Sequence, residues 1–177
     1  MGTALSEQEF IRRVRSFERS AFHMETRRSY ALGYEREDYE QFCVGNPTPP
    51  SELDWWRPWL DRVKSYTAEG KQVGRVRLVD TPPTDYQRWL LWANPWHEAA
   101  GEDIRYLPRA QAEQIALPMH DWWLLDDAYL ITMDFTDSGE IAGKSLIIDQ
   151  SIVTDYMSWR DRARRYAVSA QQIVIAV

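Results

Sequence analysis

The feature that most constrains this chain is the alternation between residues 72 and 166. Short β-branched or aromatic runs there are separated by stripes of helical period. "QVGRVRLVD" at 72–80 predicts a strand. "TPPT" breaks it, and Thr84 is placed to cap a helix carrying Tyr86, Trp89, Leu90 and Trp92. "DIRYL" at 103–107 predicts a second strand, and "PRAQAEQIAL" at 108–117 a short helix opened by Pro108. "DWWLL" at 121–125 and "YLITMDF" at 129–135 read as a third and fourth strand. After the turn "TDSGE", "SLIID" at 145–149 reads as a fifth. Asp149 then caps a helix whose stripe is Ile152, Tyr156, Trp159, Ala163 and Tyr166. Strands separated by helices favour a partly parallel layer, and the last strands, joined by short turns, should be antiparallel. The expected fold is therefore α/β, a mixed sheet flanked by helices.

The first seventy residues read as helical. "SEQE" at 6–9 is a capping box, followed by Phe10, Val14, Phe17 and Ala21 at helical spacing. A second helix is expected over 35–44, stopped by Gly45. "GNPTPPSE" is a loop, and a third helix runs from near Asp54 to Gly70. The closing "QQIVIAV" reads as a short strand or tail over 170–177. The 177 residues make one domain: a helical segment at 1–70, an α/β core at 72–168 and the C-terminal piece.

A net charge of −6 argues against direct nucleic-acid binding, which relies on neutralising phosphates. One cysteine, Cys43, forms no internal disulfide and fits a reducing, cytoplasmic setting. The opening lacks the apolar segment of a signal peptide. It does begin Met-Gly with Ser6 downstream, a formal but common myristoylation pattern. No stretch approaches the roughly 20 apolar residues of a membrane span, so no membrane association is expected. His97, Glu98, Glu102 and Asp103 match no metal-ligand spacing, and the stretch reads as a loop; a salt bridge from Glu102 or Asp103 to Arg75 or Arg77 is the expected use. Neither a metal nor another cofactor is expected. The P-loop, the dinucleotide fingerprint and the nucleophile elbow are all missing from the sequence.

"MHDWWLLDD" at 119–127 mixes one histidine, three aspartates and two tryptophans. His120, Trp122 and Asp127 stand at the spacing of the phospholipase-D-type motif, H-x-K-x4-D, with tryptophan in the lysine position. The order of elements over 72–168 also resembles one half of that fold. In such chemistry a histidine attacks phosphorus while lysines hold the phosphate oxygens. An indole offers one N–H and no charge. The resemblance therefore implies a degenerate site, with no catalytic residue expected. Arg75, Arg77 and Arg105 are candidate compensating cations, and with His120, Trp122 and Asp127 they make up a candidate ligand site. The alternative is a phosphodiesterase-like enzyme with His120 as nucleophile and Asp127 orienting it. One motif copy per chain would then require a homodimer. The bland reading puts His120 in a loop after Pro118 and Asp127 in a hairpin turn with Asp126.

Five ordered segments cover nearly the whole chain: "SAFHMET", "GRVRLVDTPPTDYQRWLLW", "AAGEDIRYLPR", "LPMHDWWLLDD" and "MSWRDRARRYAV". Together they resemble an uncharacterised actinobacterial family commonly encoded beside helix-turn-helix regulators. That resemblance implies a non-catalytic accessory or regulatory protein. Its partner would be another protein, such as a DNA-binding regulator, or a small effector. The tryptophan clusters read mainly as core, and Trp122 and Trp123 must point to opposite faces of one strand. An aromatic pocket serving a biosynthetic enzyme is a third option.

Overall fold

A computed structural model describes residues 2–176. Strand β1 (Thr3–Ala4) and helix α1 (Glu7–Arg15) open the chain, followed by β2 (Ser20–Glu25), α2 (Arg36–Cys43), α3 (Arg57–Ala68) and β3 (Gln72–Val79). Then come α4 (Asp85–Ala100), β4 (Asp103–Pro108), α5 (Arg109–Gln114), β5 (Asp121–Leu125), β6 (Tyr129–Phe135), β7 (Ile141–Ile147), α6 (Gln150–Tyr166) and α7 (Ala170–Ala176). Among the described residues, seven strands form one sheet in the order β1-β7-β6-β5-β2-β3-β4. β2, β3 and β4 run parallel, and β5, β6, β7 and β1 continue antiparallel. This is the mixed α/β sheet flanked by helices that the sequence implies.

Two elements differ from expectation. The N-terminal seventy residues are not purely helical: α1 stops at Arg15, and Ala21 belongs to β2, a central strand paired with both β3 and β5. The missed signal is the alternation in "FHME", where Phe22 and Met24 share one face and His23 and Glu25 the other. The C-terminal segment over 170–176 is helix α7 rather than a strand, packed through Ile173 against Ile104 and Tyr106. Its distal Val177 lies outside the described residues. Helix α4 also runs on through Pro95 to Ala100, so His97 is helical and not in a loop.

Strict alternation gives the sheet two unlike faces. One buries Phe22, Met24, Val76, Leu78, Trp122 and Leu124 under α5 and α6 and is apolar. The other carries Ala21, Val73, Trp123, Leu125 and Ile131 under α1, α3 and α4, but its centre is polar. There His23 sits beside Arg75 on β3 and Trp123 on β5, and Glu25 beside Arg77. Helix α4 is fixed over this face by a complete capping box, Thr84 with Gln87, and ends at Gly101 in the left-handed conformation. A Cβ at Gly101 would come within 2.8 Å of Thr67, so both the close approach and the φ of +96° require glycine.

Candidate functional site: a charged, aromatic-walled pocket

Four of the six sequence-predicted ligand residues are scattered. His120 precedes β5, and its Nε2 shares a 2.7 Å hydrogen bond with the Tyr156 hydroxyl of α6. Burial lowers the pKa of its imidazole, favouring the neutral ring. Trp122 is buried in the apolar face, edge-on to Tyr156 with centroids 5.1 Å apart, and its indole N–H has no partner. Asp127 lies beyond the other end of β5, so roughly 16 Å of strand separates it from His120. It occupies the hairpin turn at φ +56° and pairs with Arg160. It therefore cannot orient His120. Arg105 sits on the edge strand β4, three strands from β5, paired with Asp103 at 3.0 Å. These positions correct the expectation of one site built from all six residues. They agree with the plainer reading of His120 in a loop and Asp127 in a turn.

A groove of about 570 Å³ does open beside His120, and arginines reach it. Arg28 and Arg109 are both engaged by Asp80, at 3.1 Å each, and Arg27 lies over the Phe135 ring. Asp121, Asp134 and Asp137 line the same groove. Arg28 and Arg109 are thus offset by Asp80, while Arg27 is held by the Phe135 ring and the Thr136 carbonyl.

The remaining two residues, Arg75 and Arg77, share a face as expected, but it is the face opposite Trp122. Both guanidinium groups grip the Glu25 carboxylate. Arg75 also donates from Nε to Glu102 Oε1 at 2.8 Å, which is the Glu102 salt bridge anticipated from sequence. Glu102 accepts further bonds from Trp59 Nε1 at 3.0 Å and His97 Nδ1 at 2.7 Å. Because Trp56 Nε1 donates to His97 Nε2 at 3.0 Å, the proton of His97 resides on Nδ1 and the ring is neutral. Burial alone would raise the Glu25 and Glu102 carboxyls; the arginines outweigh it and hold both well below the ordinary range.

Above this network lies a cavity of about 360 Å³. Its floor holds His23, Glu25, Arg75 and Asp121, and its walls include Trp55, Trp59, Trp123 and Tyr34. A second hollow of about 270 Å³ shares Phe10, Trp55, Trp59, Arg75 and Trp123 with it. His23 stacks on Trp123 with centroids 4.1 Å apart and planes within 12°. Its Nδ1 lies 3.3 Å from Glu25 Oε1, outside good hydrogen-bond geometry, and its Nε2 has no partner. Asp121 accepts from the Thr26 amide at 2.8 Å, the Thr26 hydroxyl at 2.7 Å and the Tyr30 hydroxyl. Those donors are neutral. Glu35 receives the Tyr86 hydroxyl at 2.8 Å, and burial pushes its carboxyl up to about 7. The sequence reading missed His23, Glu25, Glu35 and Asp121 as site residues. Among the described residues no three metal-ligating side chains cluster, and no helix is long and apolar enough to cross a membrane.

The architecture is that of a phospholipase-D-like fold. NucT from Helicobacter pylori shares the fold, with a TM-score of 0.52 over 96% of this chain and 97% of that one, at 11% sequence identity. The chain belongs to the DUF6879 family, a domain of unknown function, whose model matches residues 8–174. No curated protein matches it.

Proposed function

We propose that this protein is a non-catalytic, ligand-binding domain, in which a phospholipase-D-like scaffold recognises a small effector on the helix-roofed face of its sheet. One observation carries the reading: a 360 Å³ cavity whose floor is a pre-formed, buried network of charged and polar groups and whose walls are aromatic. Ligand sites have this size and character, an apolar body with a few fixed polar groups. The network is costly to assemble unless fully satisfied, because each buried charge must be compensated. Its location at the foot of a cavity, rather than in packed core, supports a recognition role.

Occupancy of the cavity would be the signal in a regulatory role. A partner protein, such as a DNA-binding regulator, would be its reader. The test is a fragment screen on the full chain by ligand-observed NMR, repeated on His23→Phe. Binding that disappears in the variant supports the reading. A screen with no hit sensitive to pocket substitutions removes it.

A second reading, phosphoryl transfer at His120 in a dimer, is favoured by the fold itself. Against it stand the indole at position 122, the distance to Asp127 and the pairing of Arg28 and Arg109 with Asp80. Turnover of bis(4-nitrophenyl) phosphate that is lost in His120→Ala would establish it.

A further inference from the structure

We propose that the occupant of this pocket is a small organic cation, an N–H-bearing ammonium or amidinium on a flat apolar body. This rests on the reading of the cavity as a ligand site and names the chemistry of what enters it.

The first ground is charge. The pocket has two cations in its floor, Arg75 and Arg77, and both are bonded to carboxylates. Glu25 and Glu102 already balance them. Asp121 is an additional carboxylate, 1% exposed, whose hydrogen-bond partners are all neutral donors. Glu35, held by a phenol, is a carboxyl that burial raises to about 7, so it adds negative charge only as pH passes that value. At the rim Glu7 and Lys144 pair with each other. With Asp121 alone beyond the balanced pairs, the fixed charge of this cavity's lining is negative, and both guanidiniums of that lining are engaged; Arg15 and Arg62 line the adjoining hollow rather than this one. A cation would restore the balance within a low-dielectric site, where such an attraction is strongest.

The second ground is an unpartnered imidazole nitrogen. His23 is 8% exposed, lines the cavity, and has no hydrogen-bond partner at either nitrogen. With Nδ1 facing the Glu25 carboxylate, the ring proton belongs there, and Nε2 is left with a lone pair. A buried acceptor without a donor is unfavourable. A ligand N–H or O–H satisfies it, whereas a carboxylate or ether oxygen would not.

The third ground is the wall. Trp59 and Trp123 already flank a cation: Arg75 Cζ lies 5.9 Å from each ring centroid. Tyr34 and Trp55, with centroids 5.2 Å apart, extend the aromatic lining toward the mouth. Ring faces attract cations and pack well on planar apolar bodies.

The test uses the full chain and probes that share a ring and a two-carbon chain and differ in the head group, cationic, neutral or anionic. These are 2-phenylethylamine, 2-phenylethanol and 3-phenylpropionate, with tryptamine, tryptophol and indole-3-propionate as a larger set, all titrated by calorimetry. The amines are expected to bind at least about tenfold more tightly than the alcohols, and the carboxylates more weakly still. Glu35→Gln keeps an acceptor for Tyr86 but removes the ionisable carboxyl, and should weaken amine binding by about tenfold above pH 7, where that carboxyl is charged, and by less below it. Trp55→Ala, at the half-exposed rim, serves as the pocket variant if His23→Phe does not fold. Equal or tighter binding of alcohols or carboxylates, abolished by either pocket variant, overturns the cation assignment and leaves the ligand-site reading standing. If none of the six binds, the charge of pocket-sensitive hits from the fragment screen decides. No such hit at all overturns both.

Discussion

Arg75 Nε lies 2.8 Å from Glu102 Oε1, and the same guanidinium reaches Glu25 with Nη1. One side chain on β3 thus ties the loop after α4 to the end of β2 and sets the floor of the pocket. The arrangement is a chain of compensated charges, and its members are interdependent.

Removing Glu25 should expose that dependence. Glu25→Gln leaves Arg77 buried without its carboxylate, while Arg75 keeps Glu102. Breaking one partner of a buried pair commonly costs about 3–5 kcal/mol. Urea unfolding is expected to show a loss of that order. A loss below about 1 kcal/mol would mean the network is solvated and not buried.

The pH dependence of stability should carry a signature of Glu35. Its carboxyl is raised by burial to about 7 in the folded protein, from an ordinary value of 4.5. The folded state then binds the proton more tightly than the unfolded state, so this group's contribution is full below about pH 4.5. It declines as pH rises and is lost above about 7, a span of about 3 kcal/mol. Glu35→Gln should flatten the curve between those values. Stability that rises with pH over that window, unchanged in the variant, would contradict this assignment.

Glu102 acts in the opposite sense. Burial would raise its carboxyl, but Arg75 and His97 hold it below the ordinary range. Its contribution is present above the unfolded value and is lost in acid. Glu102→Gln should therefore reduce stability at neutral pH, with the difference from the native chain shrinking as pH falls below about 4. Denaturant midpoints across pH measure it.

The β5–β6 turn separates two adjacent aspartates by role. Asp126 accepts the backbone amides of Glu18, Arg19 and Ser20 at 2.9, 2.7 and 3.0 Å, fastening the entry to β2. Asp127 makes a partly exposed pair with Arg160. Asp126→Ala is expected to lose about 2 kcal/mol, since it strands three donors, and Asp127→Ala less than about 1 kcal/mol. The reverse order in thermal unfolding would assign Asp127 a greater part than the geometry gives it.

His120→Ala removes one half-buried hydrogen bond, to Tyr156. A loss of about 1 kcal/mol is expected, with the pocket's ligand affinity unchanged, since His120 lies outside that cavity. A large drop in affinity would show that the two faces of the sheet are coupled.

Local chemistry was legible in the sequence. The caps at Ser6, Thr84 and Asp149, the strands of the α/β section, the opposite faces of Trp122 and Trp123 and the Glu102–Arg75 bridge all follow from spacing and side-chain type. These features depend on neighbours a few residues away, or on alternation along one strand. What the sequence could not settle was which strand lies beside which. "SAFHME" is short, and its apolar residues continue the helical stripe that precedes it. Only insertion between β3 and β5 makes it a strand, and those pairings join residues about fifty and about a hundred positions apart. The insertion puts His23 next to Trp123 and Arg75, and Glu25 next to Arg77. The same pairing moves Arg105 to the far edge and leaves His120 on the opposite face. The sequence thus determined the chemical parts, including a tryptophan where the resembled motif has a lysine. Tertiary structure decided where the charges meet, because a buried carboxylate is compensated only by whatever distant strand the sheet places against it.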